Sequence, residues 1–556
     1  MVFHILQHMP ENDRFSQSSV RLILTVSAVF FFMVLVLWAP FGLKSGMPYE
    51  TTFVYLSETR SLIRGFFRAD WLRVHLSFFY HLSYLLAKLF GIDGSFLTYQ
   101  IVYALLWWGR GILVFLVLRK LIPQHPLFNY LIGTLVIVHA SDHALNWVGQ
   151  MHQFGMIFWT VLSFYMLVCS LKEQPGVSPT YVGLSVLFAF MSLWSYESQL
   201  LIIFFVPAVL TIFFFGISKR NLAILGIYYT VPATYLCLNI LRYSISHGAT
   251  YQESVLRKDF KIYSIVSDLF FNIGHSISFW DWMAEVPVPV NFSHSDSTLF
   301  SVAAVILFVS GVLVMKLSLK CSTDKPFPGT KELLRLLGLG LTFLVMSFPV
   351  YLLLDSARML WRTQFLSGIG AALVMGTVIG LLAVPLSKNI LRFMVLLIFG
   401  ATVSFFGASA AFKAGAFHYQ IWERHRYAMA QVLQVAPNLK PGTVIVLVNV
   451  PKEADPFGDN MWFDVALRLA YPGTPVSGIY FYEDGTASPG NNLALRSGVW
   501  KFTHKGFPPL LKESHFSGTV VIEYGKNGKP RVLDHVPVFL GAEEGVLKNL
   551  QSIGSH

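Results

Sequence analysis

The chain has 556 residues, of which 54% are hydrophobic, 15% aromatic and only 13% charged, with a mean hydropathy of +0.57. Soluble globular proteins carry roughly 25% charged residues, so a water-soluble fold is excluded for most of the length. The formal charge of +11 does not point to nucleic acid, because the basic residues sit in short loops between apolar runs and form no stripe interleaved with aromatics.

Apolar runs of about 20 residues, enough to cross a hydrocarbon core, recur at 20–43, 96–121, 126–141, 152–171, 179–196, 199–217, 221–242, 298–317, 333–354, 364–386 and 389–412. They predict a polytopic α-helical membrane protein with roughly eleven spans, followed by a small α/β domain. Residues 1–19 are polar, and no small-residue cleavage site follows the first apolar run, so that run reads as a retained anchor. Cys169, Cys237 and Cys321 have no CxxC spacing and read as packing residues.

Between the first and second spans lies the loop 44–95, where carboxylates, arginines and aromatics gather: Glu50, Glu58, Arg60, Arg64, Arg68 and Asp70-Trp-Leu-Arg73-Val-His75. Eight helical residues separate Glu50 from Glu58, which sets them about 80° apart on one face. Arg60, Arg64 and Arg68 recur at every fourth position beside Ile63, Phe66, Phe67 and Trp71, the pattern of a helix lying at the membrane interface. The apolar stretch Leu76–Phe90 is too short to span and reads as re-entrant or interfacial.

Arg110 lies deep within the second span. Asp142 and His143, with Asn146, Trp147 and His152, stand between the third and fourth. Glu197 interrupts the apolar run from 179 to 217, which is too long for one crossing, so a tight turn is expected there. The loop 243–297 is long enough for a surface helix. Arg358 and Arg362 flank Trp361 before the tenth span.

Basic residues at Arg119-Lys120, Lys172, Lys219-Arg220, Lys316 to Arg335, and Lys388 with Arg392 fall in alternate loops. The positive-inside rule then puts residues 1–19 in the cytoplasm and the 44–95 loop outside. After the transmembrane part (20–414) the composition changes. Residues 415–435 read as helix, 443–450 as a buried strand, 463–471 as helix and 476–482 as strand, with a hairpin around Gly525–Gly528. The segment 415–556 is thus expected to be a soluble extracytoplasmic α/β domain.

Chemistry follows from the external residues. A carboxylate (Glu50 or Glu58, with Asp142 as a further candidate) is placed to deprotonate a hydroxyl or amine, and arginines stabilise a phosphate leaving group. The bland reading of the same residues is a solvated loop acid and an anchoring basic helix. No HExxH or similar ligand spacing supports a metal, and no cofactor is implied.

In arrangement the chain resembles the GT-C glycosyltransferases, which have an early acidic residue in the first external loop and an external C-terminal domain. The local match is to the protein mannosyltransferase and aminoarabinose transferase branch. Pro48-Tyr49-Glu50, the segment through Arg68, Asp70-Trp-Leu-Arg-Val-His-Leu76 and Leu86-Ala-Lys-Leu-Phe-Gly91 are similar to its pattern. Two departures stand out. Tyr49 replaces the first acid of the branch's Asp-Glu pair, and the gap from Glu50 to Asp70 is longer.

The resemblance implies a polyprenyl-phosphate-linked sugar donor, a lipid, glycan or protein acceptor, surrounding membrane lipids, and a multi-pass bacterial inner-membrane location. It leaves Glu50 or Glu58 as the base, with Glu50 favoured, and Arg60, Arg64, Arg73, His75, His143, Glu197, Arg358 and Arg362 as substrate-binding residues. Readings from other classes are a transporter or flippase for a lipid-linked saccharide and a non-catalytic accessory protein. An O-antigen ligase or polymerase is the nearest competitor among enzymes.

Overall fold

The computed structural model describes residues 17–47, 52–68, 70–92, 95–140, 145–172, 178–246, 257, 261–278, 294–318, 326–353, 364–490, 493–496, 499–502, 513–525 and 527–534. The helices are α1 (Gln17–Gly42), α2 (Thr52–Glu58), α3 (Phe78–Leu89), α4 (Leu97–Leu121), α5 (Pro126–Val138), α6 (Met151–Lys172), α7 (Ser178–Leu193) and α8 (Leu200–Leu210). They continue as α9 (Lys219–Ser246), α10 (Ile262–Ile277), α11 (His294–Ser318), α12 (Thr330–Met346), α13 (Pro349–Leu352), α14 (Gln364–Ala383), α15 (Asn389–Val435) and α16 (Asn460–Ala470).

The protein is a polytopic helical membrane protein. Among the described residues, eight helices are long and apolar enough to cross a membrane, and three further apolar helices are shorter. These eleven coincide with the expected runs, but α5, α7 and the α8 segment fall short. At 13 residues, α5 reaches only about 20 Å. It stops where His139 turns extended and its Nε2 bonds Ser276 O at 2.8 Å. Pro207 in α8 has no N–H to continue the ladder; the helix loosens into a π turn at Thr211–Phe215 and ends at Gly216, with φ of 76°.

The chain divides into two compact units. The first holds 1–43, 66–79 and 99–417. Lipid tails give helices no hydrophobic reason to associate, so close backbone approach at small residues does the work. A Cβ on Gly370 of α14 would sit 2.4 Å from Leu344 N of α12, and one on Gly340 of α12 would sit 2.8 Å from Leu373 Cβ. Phe30 of α1, Tyr130 of α5 and Phe308 of α11 stack in series at centroid spacings of 5.4 and 5.7 Å. Gly133 and Gly400 leave room for the outer two rings. Arg110 of α4 is fully buried; its guanidinium donates to Val136 O at 2.6 Å and lies over the Phe154 ring at 5.0 Å. In the 243–297 stretch, α10 is amphipathic and exposes Ile262, Tyr263, Phe270 and Phe271.

The second unit holds 44–65, 80–98 and 418–556. Helix α15 is continuous over 47 residues, so the break expected between 412 and 415 is absent; up to Phe417 it belongs to the first unit and from His418 to the second. Its four-stranded sheet has the order β2–β1–β6–β7, with β1 (Val444–Val450), β2 (Ser477–Tyr482), β6 (Thr519–Glu523) and β7 (Arg531–Leu533). β1 pairs parallel with both β2 and β6, and β7 returns antiparallel to β6. A strand with parallel neighbours on both sides reads as a continuous apolar run, which is what Val-Ile-Val-Leu-Val provides. β3 (Leu493–Arg496), β4 (Val499–Phe502) and β5 (Glu513–His515) form a separate antiparallel sheet.

Helix α16 starts at an Asp459 cap bonded to Met461 N at 2.8 Å. It packs on β1 and β2 through Phe463, Ala466 and Leu467. Its buried Asp464 holds Arg468 at 2.5 Å, Gly478 N at 3.2 Å and the Ser477 hydroxyl.

The basic stripe expected on a helix through Arg60, Arg64 and Arg68 does not form. α2 ends at Glu58, and only a single 3₁₀ turn, Arg64–Phe66, follows. The reason is local. His81 Nε2 bonds Leu62 O at 2.9 Å, and a Cβ on Gly65 would lie 2.0 Å from the His81 ring, so the chain here is wrapped on α3 in an irregular path.

Replacing Gly370 by Ala is expected to cost about 1–3 kcal/mol through overpacking, seen as a lower midpoint of thermal unfolding in detergent. Gly226→Ala, where a Cβ meets nothing within 4 Å, is the control and leaves the midpoint unchanged or slightly raised.

Candidate functional site

In the first unit the turn 66–76 gathers Arg68, Asp70, Arg73 and His75. The turn is closed by its own backbone: Arg68 N–H donates to Val74 O at 2.9 Å, and Arg73 N–H to Asp70 O at 3.0 Å. Asp70 Oδ1 accepts from Leu72 N at 3.1 Å, so the aspartate folds the segment locally.

Two ion pairs then fix the turn to the helices. Arg242, in α9, donates to Asp70 Oδ1 at 3.0 Å. Arg73 engages Glu197 through two bonds, Nε to Oε2 at 2.9 Å and a second from its terminal nitrogen to Oε1. The planar fork of arginine suits this two-point contact. Burial alone would lower the Arg73 pKa, but the Glu197 carboxylate together with Tyr196 and Tyr235 raises it above the ordinary range. The Arg73 guanidinium also lies 4.8 Å from the centre of the Tyr196 ring. On the near side, Tyr235 donates to Leu72 O at 3.3 Å, and Trp194 packs edge-on against Tyr235.

The turn Trp194–Gln199 between α7 and α8 joins this cluster to the end of α6. His152 lies 5.3 Å from the Tyr196 ring. Below it, Gln199 Nε2 donates to Ser192 Oγ at 2.8 Å, and Ser192 Oγ meets Thr160 Oγ1 at 2.7 Å. Just before α6, Asn146 takes a left-handed conformation, φ 67°. Asparagine tolerates this conformation better than most residues. Its N–H donates to Tyr103 Oη and its Nδ2 to Ala411 O, both at 3.0 Å.

His75 ends the polar turn. Its N–H donates to Trp194 O at 2.9 Å, and its own carbonyl accepts from Phe78 N at 3.0 Å as α3 begins. The residue is 7% exposed, its ring lies between Phe67, Phe78 and Phe190, and neither ring nitrogen has a hydrogen-bond partner. Burial pushes its pKa down to about 4, so the imidazole is neutral at physiological pH.

Among the residues expected from sequence, Arg73, His75 and Glu197 are therefore brought together. In the second unit, Glu58 is the exposed last residue of α2. In that unit too, Gly46 runs over the Trp422 ring and Phe53 stacks on Tyr80 at 4.2 Å. Arg60 is half-buried and Arg64 exposed. Glu50, Asp142, His143, Arg358 and Arg362 lie outside the described residues. Among the described residues no three His, Cys, Asp or Glu side chains converge as metal ligands. Sequence reasoning did not single out Arg242 and Tyr196. The signal for Arg242 was an arginine at the end of an apolar helix, with Asp70 in need of a counter-charge.

No protein-family model matches the sequence, and no curated protein matches it. Solved structures do. The chain is similar to an oligosaccharyltransferase from Archaeoglobus fulgidus tethered to an acceptor peptide with an NVT sequon, at 12% identity and a TM-score of 0.38, covering 76% of this chain and 61% of that one. It is similar to ArnT from Cupriavidus metallidurans bound to undecaprenyl phosphate, at 13% identity and a TM-score of 0.34, covering 79% of this chain and 84% of that one. It is also similar to the archaeal oligosaccharyltransferase AglB of Archaeoglobus fulgidus in complex with an inhibitory peptide and a dolichol-phosphate, at 12% identity and a TM-score of 0.40, covering 83% of this chain and 65% of that one. The chain thus spans less than two thirds of the length of either oligosaccharyltransferase structure.

Two outcomes follow from the geometry. Glu197→Ala strands a largely buried Arg73 and is expected to destabilise by about 1–3 kcal/mol, with a coupling of about 1–2 kcal/mol in the double-mutant cycle with Arg73→Ala. Both are read from thermal or denaturant unfolding. The second concerns acid. The unfolded chain protonates His75 near 6.5 while the folded chain resists until about 4, so the unfolded state binds more protons in this window and stability falls as pH drops through it. Unfolding midpoints of His75→Phe should therefore show a shallower fall between pH 6.5 and 4 than those of the wild type.

Proposed function

We propose that the protein is a membrane glycosyltransferase that moves a sugar from a polyprenyl-phosphate-linked donor to an acceptor on the extracytoplasmic face. The observation that carries this reading is the paired-charge turn at 70–76, in which an Asp-Trp-Leu element that resembles the GT-C pattern is fastened to helix ends by Arg73–Glu197 and Asp70–Arg242. Polar groups are costly at membrane depth and are seldom kept without a task. Here they are organised with a buried neutral imidazole and aromatic rings.

In the proposed reaction Glu50 accepts the proton of an acceptor hydroxyl or amine. The freed lone pair attacks the anomeric carbon, the bond from that carbon to the phosphate oxygen breaks, and the lipid phosphate leaves with the electron pair. Arg358 and Arg362, with arginines of the 60–73 stretch, supply positive charge against the phosphate. Arg73, committed to Glu197, serves in this scheme to hold the turn. Asp142 and Glu58 are the other candidate acids. No metal or cofactor is assigned. The N-terminus is cytoplasmic in this reading, and residues 415–556 are extracytoplasmic and engage the acceptor, an orientation supported by the distribution of basic loops. A bacterial inner membrane is the proposed setting.

Glu50→Gln is expected to lower transfer by about 10²–10⁴-fold, the usual worth of a general base, in membranes with matched protein levels. Glu58→Gln should keep near wild-type transfer. Full activity in both variants would sink the general-base assignment and favour a transporter or accessory role.

A further inference from the structure

α2 is seven residues long, and isolated helices shorter than about 12–15 residues are marginal in water. It therefore owes its form to packing, with Phe53, Val54 and Ser57 buried along one side. Phe53 lies flat on Tyr80 at 4.2 Å. Tyr55 meets α16, where the Arg468 guanidinium stands 5.9 Å from the centre of its ring. That guanidinium is buried with Asp464, its partner one turn back on α16. Apolar residues of similar volume often stabilise a core as much as a buried ion pair does, so stability alone does not account for the pair. What it adds is a fixed cation at the place where α2 docks. On the other flank, Met47 is fully buried, and Gly46 runs so close over Trp422 of α15 that a Cβ would lie 2.4 Å from the indole. Trp422 stacks on His425, whose ring abuts Phe457 in the core of the second unit.

Four residues separate Met47 from Thr52, and Glu50 is the third of them. Both flanks of Glu50 are thus fastened inside the second unit, by contacts with residues of that unit. We propose that Trp422 and Arg468 are positioning residues for sugar transfer, which act through Gly46 and Tyr55 to set the segment that carries Glu50. The C-terminal domain is then a working part of the reaction as well as a surface for the acceptor. The inference rests on the transferase reading above, with Glu50 as base. A general base acts only within hydrogen-bond reach of the proton it takes, and a misplacement of about 1 Å costs up to about a hundredfold in rate. A polar loop leaving a membrane helix has no means of its own to hold that tolerance. Anchors on either side of the acid supply it. Neither Trp422 nor Arg468 is assigned contact with substrate.

The test follows hexose transfer by the full chain in membranes at matched protein levels, with a farnesyl-phosphate-linked hexose as donor and the acceptors native to those membranes. The purified full chain in detergent serves for amide hydrogen exchange and thermal unfolding. Tyr55→Leu removes the ring beside Arg468 and should lower kcat about ten- to a hundredfold, while KM for the donor stays within about twofold. Tyr55→Phe keeps the ring and should remain near wild type. In Tyr55→Leu the amides of 52–58 should exchange about tenfold faster with the global unfolding midpoint unchanged. Gly46→Ala should lower kcat in the same way, and adding Trp422→Phe, which makes room for the new methyl group, should restore part of it. Wild-type kcat in both Tyr55→Leu and Gly46→Ala overturns the proposal. So does a rise in KM with kcat unchanged, which would place these residues in donor binding. If Gly46→Ala loses stability along with rate, the double variant decides: recovery of kcat supports the proposal, and none overturns it. Wild-type membranes that transfer no hexose, or full transfer by Glu50→Gln, sink the transferase or general-base reading instead. Exchange then tests the anchor by itself, and an unchanged rate at 52–58 in Tyr55→Leu overturns it.

Discussion

The polar end of the membrane unit depends on charge neutralised in pairs. At the edge of a hydrocarbon region a lone guanidinium or carboxylate is expensive, and removing one partner of a close pair costs more than the pair itself contributes. Arg73 with Glu197 and Asp70 with Arg242 resolve this by joining one turn to the α7–α8 connection and to α9. Each pair brings together residues far apart in sequence, so the turn, closed locally by its own bonds, is anchored only when α7, α8 and α9 are in place. Trp194, Tyr196 and Tyr235 then take their positions around it.

Away from that end, the membrane unit is held by close backbone approach. The glycines facing Leu344, Leu373, Phe30 and Phe308 act by having no side chain, and the aromatic series Phe30, Tyr130 and Phe308 occupies the space they leave. The second unit follows the other regime, with a water-driven core of Ile445, Leu447, Phe463, Leu467 and Ile522 between helix and sheet. One chain thus uses two packing chemistries, and the change in composition near residue 415 marks the passage from one to the other.

Much of the fold was legible. Runs such as those in α4, α6 and α11 carry a period and length with one physical reading, and the β-branched sequence of β1 announced a strand buried on both faces. The failures have local causes. The arginines at 60, 64 and 68 keep helical spacing, but His81 and Gly65 draw the backbone onto α3, and spacing carries no record of such a tertiary contact. The continuity of α15 across 413–414 was hidden because the side chains change there while the backbone runs on. At the site, Arg73, His75 and Glu197 were legible as polar residues in an apolar setting. That Arg73 and Glu197 bind each other, and that Arg242 answers Asp70, depends on how α7, α8 and α9 converge, which no local pattern records.

The order of strands in the second unit has a consequence for its synthesis. β1 is flanked by β2, which follows it closely, and by β6, which emerges only after the whole of 451–518. During translation β1 therefore has one edge open, carrying Val444, Val446 and Val448 with unpaired backbone groups, until residues 519–523 arrive. An open apolar edge is a template for pairing with another chain. A ribosome stalled between 482 and 519, or a gene truncated there, would release a nascent chain with this edge exposed, and its quality control would depend on whatever covers β1 in the interval.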